Sequence, residues 1–242
     1  MNLSSEAWLL FGVVGFYLYD SIKLVSGNQV FLIKGLSGWR LKLPSDYLRF
    51  QNSLVFLPNP ACPWTSLYKS DLFCEKSSAD SLDNILQIND ALRSIKPFVV
   101  LLFIQMLVFL PICVLRYGMG LLTLVVVSSI YGTVFFMVLV IFIKKIQLKL
   151  TPKRFMSLLF DCIACPPFAL NAIRKITLML PLQINVLEFA TEYLEDKRKE
   201  AFFSEAIKRL DDMMLICDED GDQHIALSKL KDKLLGASNE LQ

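Results

Sequence analysis

Residues 98–115, FVVLLFIQMLVFLPICVL, and residues 119–143, MGLLTLVVVSSIYGTVFFMVLVIFI, are the two stretches that decide the fold of this chain. Neither stretch contains a charged residue. As helices, uncharged apolar runs of about 18 residues or more are long enough to cross the hydrocarbon core of a membrane. Because only residues 116–118 separate the two runs, we expect an antiparallel pair of transmembrane helices.

The composition of the whole chain agrees with a membrane protein. Hydrophobic residues make up 54% of the 242 residues and charged residues only 20%, against about 25% charged in soluble domains. The alternative, two buried helices in a soluble protein, would require a very large core around them. The net charge of +2 gives no reason to expect a nucleic-acid partner. The predicted class is a mainly α integral membrane protein, with the lipid bilayer as one partner.

A third apolar run, near the N-terminus, predicts another transmembrane helix over about residues 7–25. Residues 1–25 are therefore the first region of the chain. Trp8, Tyr17 and Tyr19 lie near the ends of the apolar run, where amphipathic aromatic side chains anchor a helix at the membrane interface. A signal peptide is the alternative. Signal peptides begin with a positively charged region, whereas the first charged residue here is Glu6.

The distribution of Lys and Arg predicts the orientation, because cytoplasmic loops carry an excess of positive charge. Cations are frequent in 23–49, at 93–96 and in 144–154, whereas the link 116–118 has one, Arg116. All three predicted spans then agree on an N-terminus outside the membrane and a C-terminus in the cytoplasm. We expect the membrane to be a bacterial inner membrane.

The cytoplasmic loop 26–97 is predicted to contain a small antiparallel β insertion and an amphipathic helix. Short apolar runs at 29–34, 39–43 and 53–57 are separated by glycine, proline and serine, which favours three strands joined by turns. Apolar residues at helical spacing over 80–96 predict a helix that leads into the second span, with a kink or break at Pro97.

The C-terminal part, residues 144–242 after the hairpin 98–143, is predicted to consist of interfacial and cytoplasmic helices. The segment 155–180 is apolar, but a fourth span would bury Asp161, Arg174 and Lys175, each costing about 2.5 kcal/mol or more at the bilayer centre. We therefore expect two helices at the interface, with a re-entrant pair or a fourth span as alternatives. Mixed charges along 188–216 indicate a solvated helix.

Residues 218–229, DEDGDQHIALSK, place carboxylates at the first, third and fifth positions of a twelve-residue loop, where Ca²⁺ takes oxygen ligands. With its flanks, 206–235 resembles a degenerate single EF-hand. The resemblance implies a helix–loop–helix and makes Asp218, Asp220 and Asp222 candidate calcium ligands. Gln223 replaces the glycine at position six and Lys229 the bidentate glutamate. We therefore expect no cofactor and interpret the segment as an acidic turn between helices, with calcium binding as the alternative.

Nothing in the sequence indicates an enzyme. Nucleophile, phosphate-loop and metalloprotease motifs are absent from the sequence, and His224 is its one histidine. The spacing of Cys162 and Cys165 fits zinc sites, but further ligands at matching spacing are missing. We therefore expect a membrane-anchored, oligomeric, non-enzymatic protein whose cytoplasmic region docks a protein partner or senses a signal, as in a defence, stress or toxin-immunity system.

The alternative function is a homo-oligomeric ion channel or pore lined by the 98–115 and 119–143 helices. Its candidate lining or helix-packing residues are Gln105, Ser128, Ser129 and Gly132. Ser128 and Gly132 form a small-xxx-small pair, which allows two helices to approach closely. If the protein docks a partner, charge reversals on 186–216 should abolish its function. If it is a channel, substitutions of the polar residues in the spans should do so instead.

Overall fold

A computed structural model describes residues 5–35, 37–44, 49–50, 53–74, 77, 79–180, 182–215 and 222–239. The chain is mostly helical with short antiparallel strands between the first two helices, which confirms the predicted mainly α fold with a small β insertion. The helices are α1 Ser5–Ser21, α2 Ala79–Arg93, α3 Lys96–Ile104, α4 Leu110–Tyr117, α5 Leu121–Lys144, α6 Pro152–Ala164, α7 Pro166–Ala169, α8 Ala172–Leu178, α9 Val186–Tyr193, α10 Asp196–Met214 and α11 Asp222–Asn239.

Two helices among the described residues are long and apolar enough to cross a membrane: Lys96–Tyr117, which joins α3 and α4, and α5. Only 39% of the first and 28% of the second is buried within the chain over their most apolar windows. Both predicted hairpin helices are therefore present, and most of their apolar surface faces outward.

The helix Lys96–Tyr117 contains a π-helical turn at Gln105–Phe109, between α3 and α4. The backbone N–H of Leu110 donates to the carbonyl of Gln105, five residues back. Pro111 follows at once and has no N–H to donate. We attribute the wider turn to this proline, because single π turns are one way a helix accommodates a residue that interrupts its hydrogen-bond ladder.

The first helix is shorter than the sequence predicts. α1 ends at Ser21, and residues Lys23–Val25 form strand β1, so the predicted extent of 7–25 is too long at its C-terminal end. Helix α2 ends before Pro97, as expected, and α3 begins afresh at Lys96. Proline is favoured in the first turn of a helix because its missing N–H has no partner there anyway.

The β insertion is larger than the three predicted strands. The six strands described are β1 Lys23–Val25, β2 Gln29–Gly35, β3 Gly38–Lys42, β4 Arg49–Phe50, β5 Ser53–Phe56 and β6 Ser66–Asp71. They form two antiparallel sheets, ordered β1-β5-β4 and β3-β2-β6. Strand β6 was missed because two of its buried positions, Ser66 and Ser70, are polar, which hides the apolar alternation typical of a strand.

The β3-β2-β6 sheet is buried on both faces. Val30 and Leu32 of β2 point into the main core with the helices, whereas Phe31 points to the second sheet. The rings of Phe31 and Phe56 stack there with centroids 3.9 Å apart. A sheet of this size is marginal alone, and packing on both sides stabilises it.

The segment 155–180, predicted to form two helices at the membrane interface, contains α6, α7 and α8, and its second half is buried within the protein. Helix α8 is buried in the protein core against β6, where the hydroxyl of Thr177 accepts the backbone N–H of Leu67 at 3.1 Å. Its charged residues have partners inside the protein, described below. Helix α6 does expose apolar side chains, including Phe160 at 73% and Ile163 at 50%.

The charged segment 188–216 is two helices, because the chain breaks at Leu194 between α9 and α10. Helices α10 and α11 pack together, with Lys231 and Asp211 forming an ion pair at 2.6 Å. Arg198 of α10 fastens this hairpin to β3 by donating to the carbonyl oxygens of Ser37 and Trp39 at 2.7 and 3.0 Å.

Candidate functional site

A buried polar cluster joins the end of α1, the end of α6, the start of α8 and the segment LPNPACP at 57–63, which we call the proline loop. We call this cluster the polar junction. Its side chains are Tyr17, Asp20, Ser21, Asp161, Asn171, Arg174 and Lys175. Sequence reasoning did not predict this site.

Arg174 holds the proline loop through its backbone. The Arg174 side chain is 1% exposed, and its Nη2 donates to the carbonyl oxygens of Asn59 at 2.6 Å and Cys62 at 2.8 Å. Its Nη1 donates to Asn171 Oδ1 at 3.1 Å. Nε has no hydrogen-bond partner among the described residues. Burial lowers the pKa of Arg174, but a guanidinium stays charged in proteins, so the loop carbonyls are held by a cation.

The last turn of α1 is fastened to the same loop. The Tyr17 hydroxyl donates to the carbonyl of Pro60 at 2.5 Å, and Tyr17 is 2% exposed. Asn171 Nδ2 donates to Asp20 Oδ2 and Ser21 Oγ, both at 3.0 Å. Three proline residues make the loop stiff, and the Tyr17 hydrogen bond joins this loop to the last turn of α1.

Lys175 pairs with two carboxylates from different elements. Its Nζ lies 2.9 Å from Asp20 Oδ1 and 2.8 Å from Asp161 Oδ2, and 4.8 Å from the centre of the Phe168 ring. Burial alone would lower the pKa of Lys175, but its bonds to the two aspartates outweigh burial and raise it. With Arg174, the junction has two cations and two carboxylates. Its net charge is therefore zero, and its ion pairs hold α1, α6 and α8 together.

A pocket of about 280 Å³ lies on the other side of the proline loop. Arg40 and Lys42 of β3 are exposed and lie at its rim, and Cys62 is one of the residues that line it. Arg40 Nη2 donates to Ser37 Oγ at 2.8 Å. The remaining lining is Ile33, Gly35, Phe56, Leu57, Pro58, Asn59, Trp64 and Thr65. Two cations and no carboxylate among these lining residues give the pocket a positive character.

The pocket wall also touches the membrane-length helix. The Trp64 ring packs edge-on against Phe103 of α3, with centroids 5.9 Å apart. Asn59 and Cys62, whose carbonyls Arg174 binds, line the pocket as well. One short loop segment, 57–65, therefore contacts α1, α3 and α8 and also lines the pocket.

The structure brings together some of the residues predicted to line a pore. Gln105 Nε2 donates to Ser129 Oγ at 2.9 Å, between the two membrane-length helices, and Thr133 Oγ1 donates to the carbonyl of Ser129. Ser128 is exposed. At Gly132, no described atom beyond its chain neighbours and the adjacent backbone of α5 lies within 4 Å of the position a Cβ would take. Gln105 and Ser129 thus pair within the chain, whereas Ser128 and Gly132 face outward.

Part of the predicted calcium loop lies outside the described residues, since these omit Asp218 and Asp220, and Asp222 is the first residue of α11. Within the described ranges, no group of three His, Cys, Asp or Glu residues could hold a metal ion. Cys162 is buried, which raises the pKa of its thiol to about 12, so this thiol is a poor nucleophile and metal ligand at neutral pH.

Comparison of the chain with known protein families, curated proteins and solved structures finds no match. The function must therefore be argued from the polar junction and the pocket. The sequence held one signal for the junction, the adjacent cations Arg174 and Lys175 inside an apolar segment. Their partners Asn59, Cys62, Asp20 and Asp161 could not be identified, because none of them except Asp161 is near in sequence.

Proposed function

We propose that this protein is a membrane-anchored, non-enzymatic sensor. In this proposal, a small anionic ligand binds the pocket beside the proline loop, and the loop passes the binding event to the membrane helices through Tyr17, Arg174 and Trp64. Helices α1, Lys96–Tyr117 and α5 are the three spans, with the N-terminus outside and the C-terminal region in the cytoplasm. That region then signals to a cytoplasmic protein partner.

Exposed apolar side chains support the membrane anchor. Leu121 is 79% exposed, Leu115 72% and Phe135 64%. On α1, Trp8 is 64% and Phe11 62% exposed. In water such contiguous apolar surface marks an interface or leads to aggregation, whereas lipid covers it at no cost. The excess of Lys and Arg in 23–49, 93–96 and 144–154 over the link 116–118 supports the orientation.

The observation that carries the sensor proposal is the position of the proline loop. Its outer face forms the pocket, and its backbone carbonyls at 59, 60 and 62 are bound by Arg174 and Tyr17. A ligand that shifts this loop must disturb buried hydrogen bonds. Because buried polar groups are costly to leave without partners, the loop and α1 are expected to move together.

The chemistry of the pocket supports an anionic ligand with an apolar part. Arg40 and Lys42 offer positive charge at the rim, and the planar Arg guanidinium binds carboxylate and phosphate groups through paired hydrogen bonds. Phe56 and Trp64 provide an apolar wall. Pockets of this kind hold ligands by apolar contact and orient them with a few polar groups.

The charge preference of the pocket can be tested at Cys62. A variant that keeps Cys62 and replaces the other five cysteines is treated with two methanethiosulfonate reagents of similar size, one sulfonated and one quaternary ammonium. We expect the anionic reagent to react roughly fivefold faster or more, since a nearby unit charge contributes about 1 kcal/mol. The double substitution Arg40→Gln/Lys42→Gln should abolish this preference.

The matched control removes two positive charges elsewhere. Lys197→Gln/Lys208→Gln, on the exposed face of α10, should leave the preference at Cys62 unchanged. Equal rates for both reagents in the parent protein, or an equal effect of the control, would contradict an anion-binding pocket.

The alternative, a homo-oligomeric channel, has less support because Gln105 and Ser129 pair with each other. The open surface at Ser128 and Gly132 is still suited to self-association of α5. A sensor that dimerises there and a channel differ in ion flux. Liposomes that contain the purified protein should show no flux above that of empty liposomes under the sensor proposal.

A further inference from the structure

An apolar groove of about 430 Å³ lies between α5 and α6. On α5 it is lined over residues 131–142, and on α6 by Phe155, Leu159 and Ile163 at helical spacing. The remaining lining residues are Tyr131, Val134, Phe135, Val138, Leu139 and Phe142. Apart from the Tyr131 hydroxyl, every side chain in this set is apolar, which suits a hydrocarbon chain.

One end of the groove is next to positive charge. Phe142 and Phe155 meet there with ring centroids 5.6 Å apart, and Lys145 Nζ lies 4.7 Å from the centre of the Phe142 ring. Arg154 directly precedes Phe155 in α6. The groove therefore has an apolar length and a cationic end. These complement the apolar tail and the negative headgroup of an anionic lipid.

The cationic end has no competing carboxylate nearby in the sequence. Residues 144–154 contain Lys144, Lys145, Lys149, Lys153 and Arg154, and residues 91–160 contain no Asp or Glu. Lys149 is already engaged, since its Nζ donates to Asn84 Oδ1. Clusters of Lys and Arg at the cytoplasmic end of a membrane helix attract anionic lipid headgroups.

We propose that this groove binds one anionic glycerophospholipid from the surrounding bilayer. An acyl chain lies between α5 and α6, and the headgroup phosphate is bound by Lys145 and Arg154 at the end marked by Phe142 and Phe155. The bound lipid fills the space between the two helices and stabilises the position of α6. This inference rests on the proposed membrane anchoring of α5 but not on the ligand of the pocket.

The test measures lipid retention by native mass spectrometry. The full-length protein is equilibrated in nanodiscs of equimolar phosphatidylglycerol and phosphatidylcholine and then released from them. We expect one phosphatidylglycerol per protomer to be retained, at least fivefold in preference to phosphatidylcholine. Lys145→Gln/Arg154→Gln should remove the preference, and Val138→Trp, which fills the groove, should remove retention of both lipids.

Two matched controls separate this site from general charge and surface effects. Lys197→Gln/Lys208→Gln removes the same charge from α10, and Leu124→Trp adds the same bulk on the outward surface of α5, where Leu124 is 62% exposed. Both should retain phosphatidylglycerol as the parent protein does. Equal retention of the two lipids by the parent protein, or equal losses in test and control variants, would overturn the proposal.

Extraction of native membranes with alkaline carbonate distinguishes this failure from failure of the membrane anchor. If the protein washes off, the membrane placement is wrong and the lipid site with it. If the protein stays in the membrane but retains no phosphatidylglycerol, the anchor stands and the lipid site is wrong.

Discussion

At the scale of single residues, Arg174 is the group on which the polar junction depends most. It is 1% exposed and bonds two carbonyls of the proline loop. Lysine has one compact ammonium group and cannot reproduce the spread of donors of a guanidinium.

Arg174→Lys should therefore lower the free energy of unfolding by about 3 kcal/mol, because it leaves buried carbonyls without donors. Denaturant unfolding in detergent micelles would measure this loss. Arg116→Lys, at an exposed position, is the control and should change the free energy by less than about 0.5 kcal/mol. Equal stability of the two variants would show that the loop does not depend on Arg174.

Lys175 gives the junction a pH dependence. Its pKa in the folded protein is raised by its bonds to Asp161 and Asp20, against the effect of burial. A raised pKa in the folded state stabilises the protein fully below the ordinary lysine value of about 10.4. This stabilisation is lost as the pH rises through the folded-state pKa.

The difference in melting temperature between the parent protein and Lys175→Met should thus be constant from pH 7 to 9 and shrink above about pH 10.5. Differential scanning fluorimetry measures both proteins across this range, so titrations of other groups largely cancel. A difference that grew with pH would contradict the assigned ion pairs.

Tyr17 links α1 to the proline loop, and its neighbour Tyr19 provides a matched control. The Tyr17 hydroxyl binds the carbonyl of Pro60, whereas Tyr19 is 74% exposed. Tyr17→Phe removes that bond and should loosen the loop. We expect the modification of Cys62 by a thiol reagent to become several-fold faster in Tyr17→Phe and to stay unchanged in Tyr19→Phe. The same rate of Cys62 modification in both variants would show that the Tyr17 hydrogen bond does not hold the proline loop in place.

At the scale of elements, Arg198 positions the α10–α11 hairpin on β3. The turn beneath it favours glycine, because Gly38 has a φ of +96°, a backbone conformation that other residues rarely adopt. Arg198 Nη1 binds the carbonyls of Ser37 and Trp39 on this turn. The charged hairpin is therefore held by a specific contact.

Arg198→Gln should increase amide hydrogen exchange throughout α10, since its attachment to the sheet is weakened. Mass spectrometry of exchanged peptides would show this. Lys197→Gln, at the exposed neighbouring position, should leave exchange in α10 at the parent level. Unchanged protection in Arg198→Gln would mean that apolar packing alone holds the hairpin.

The elements also show what the sequence could and could not predict. The two membrane-length helices were predictable because 98–115 and 119–143 carry no charge, a strong local signal. The second sheet was not, because β1 and β4 are only three and two residues long. The polar junction depends on contacts such as Ser21 with Asn171, 150 residues apart, and single-sequence patterns do not report such distances.

Helix α8 shows why charge alone misled the interpretation. The charges of Arg174 and Lys175 argue against burial in a bilayer, and on that ground the sequence predicts that 155–180 lies at the membrane interface. Both cations have hydrogen-bond or ion-pair partners within the protein. These partners come from α1, α6 and the proline loop. A buried charge is acceptable when it is paired and hydrogen-bonded, and pairing is a tertiary property.

At the scale of the whole molecule, the proposal joins a pocket, a stiff loop and three membrane helices into one sensor. Its central claim is the placement of the chain across the membrane, with α1 as the first span and the pocket and C-terminal helices on the cytoplasmic side. The proposed signalling from the pocket to a cytoplasmic partner depends on this topology, and the proposed lipid site depends on its placement of α5 in the membrane.

The most direct test is cysteine labelling in intact spheroplasts of a bacterial host that produces the protein. Single cysteines are introduced as Asn2→Cys, Met119→Cys and Ser204→Cys in a cysteine-free protein, and a membrane-impermeant maleimide is added. We predict labelling at positions 2 and 119 without permeabilisation, and at 204 only after it. Labelling at 204 in intact spheroplasts, or protection at position 2, would contradict the three-span topology.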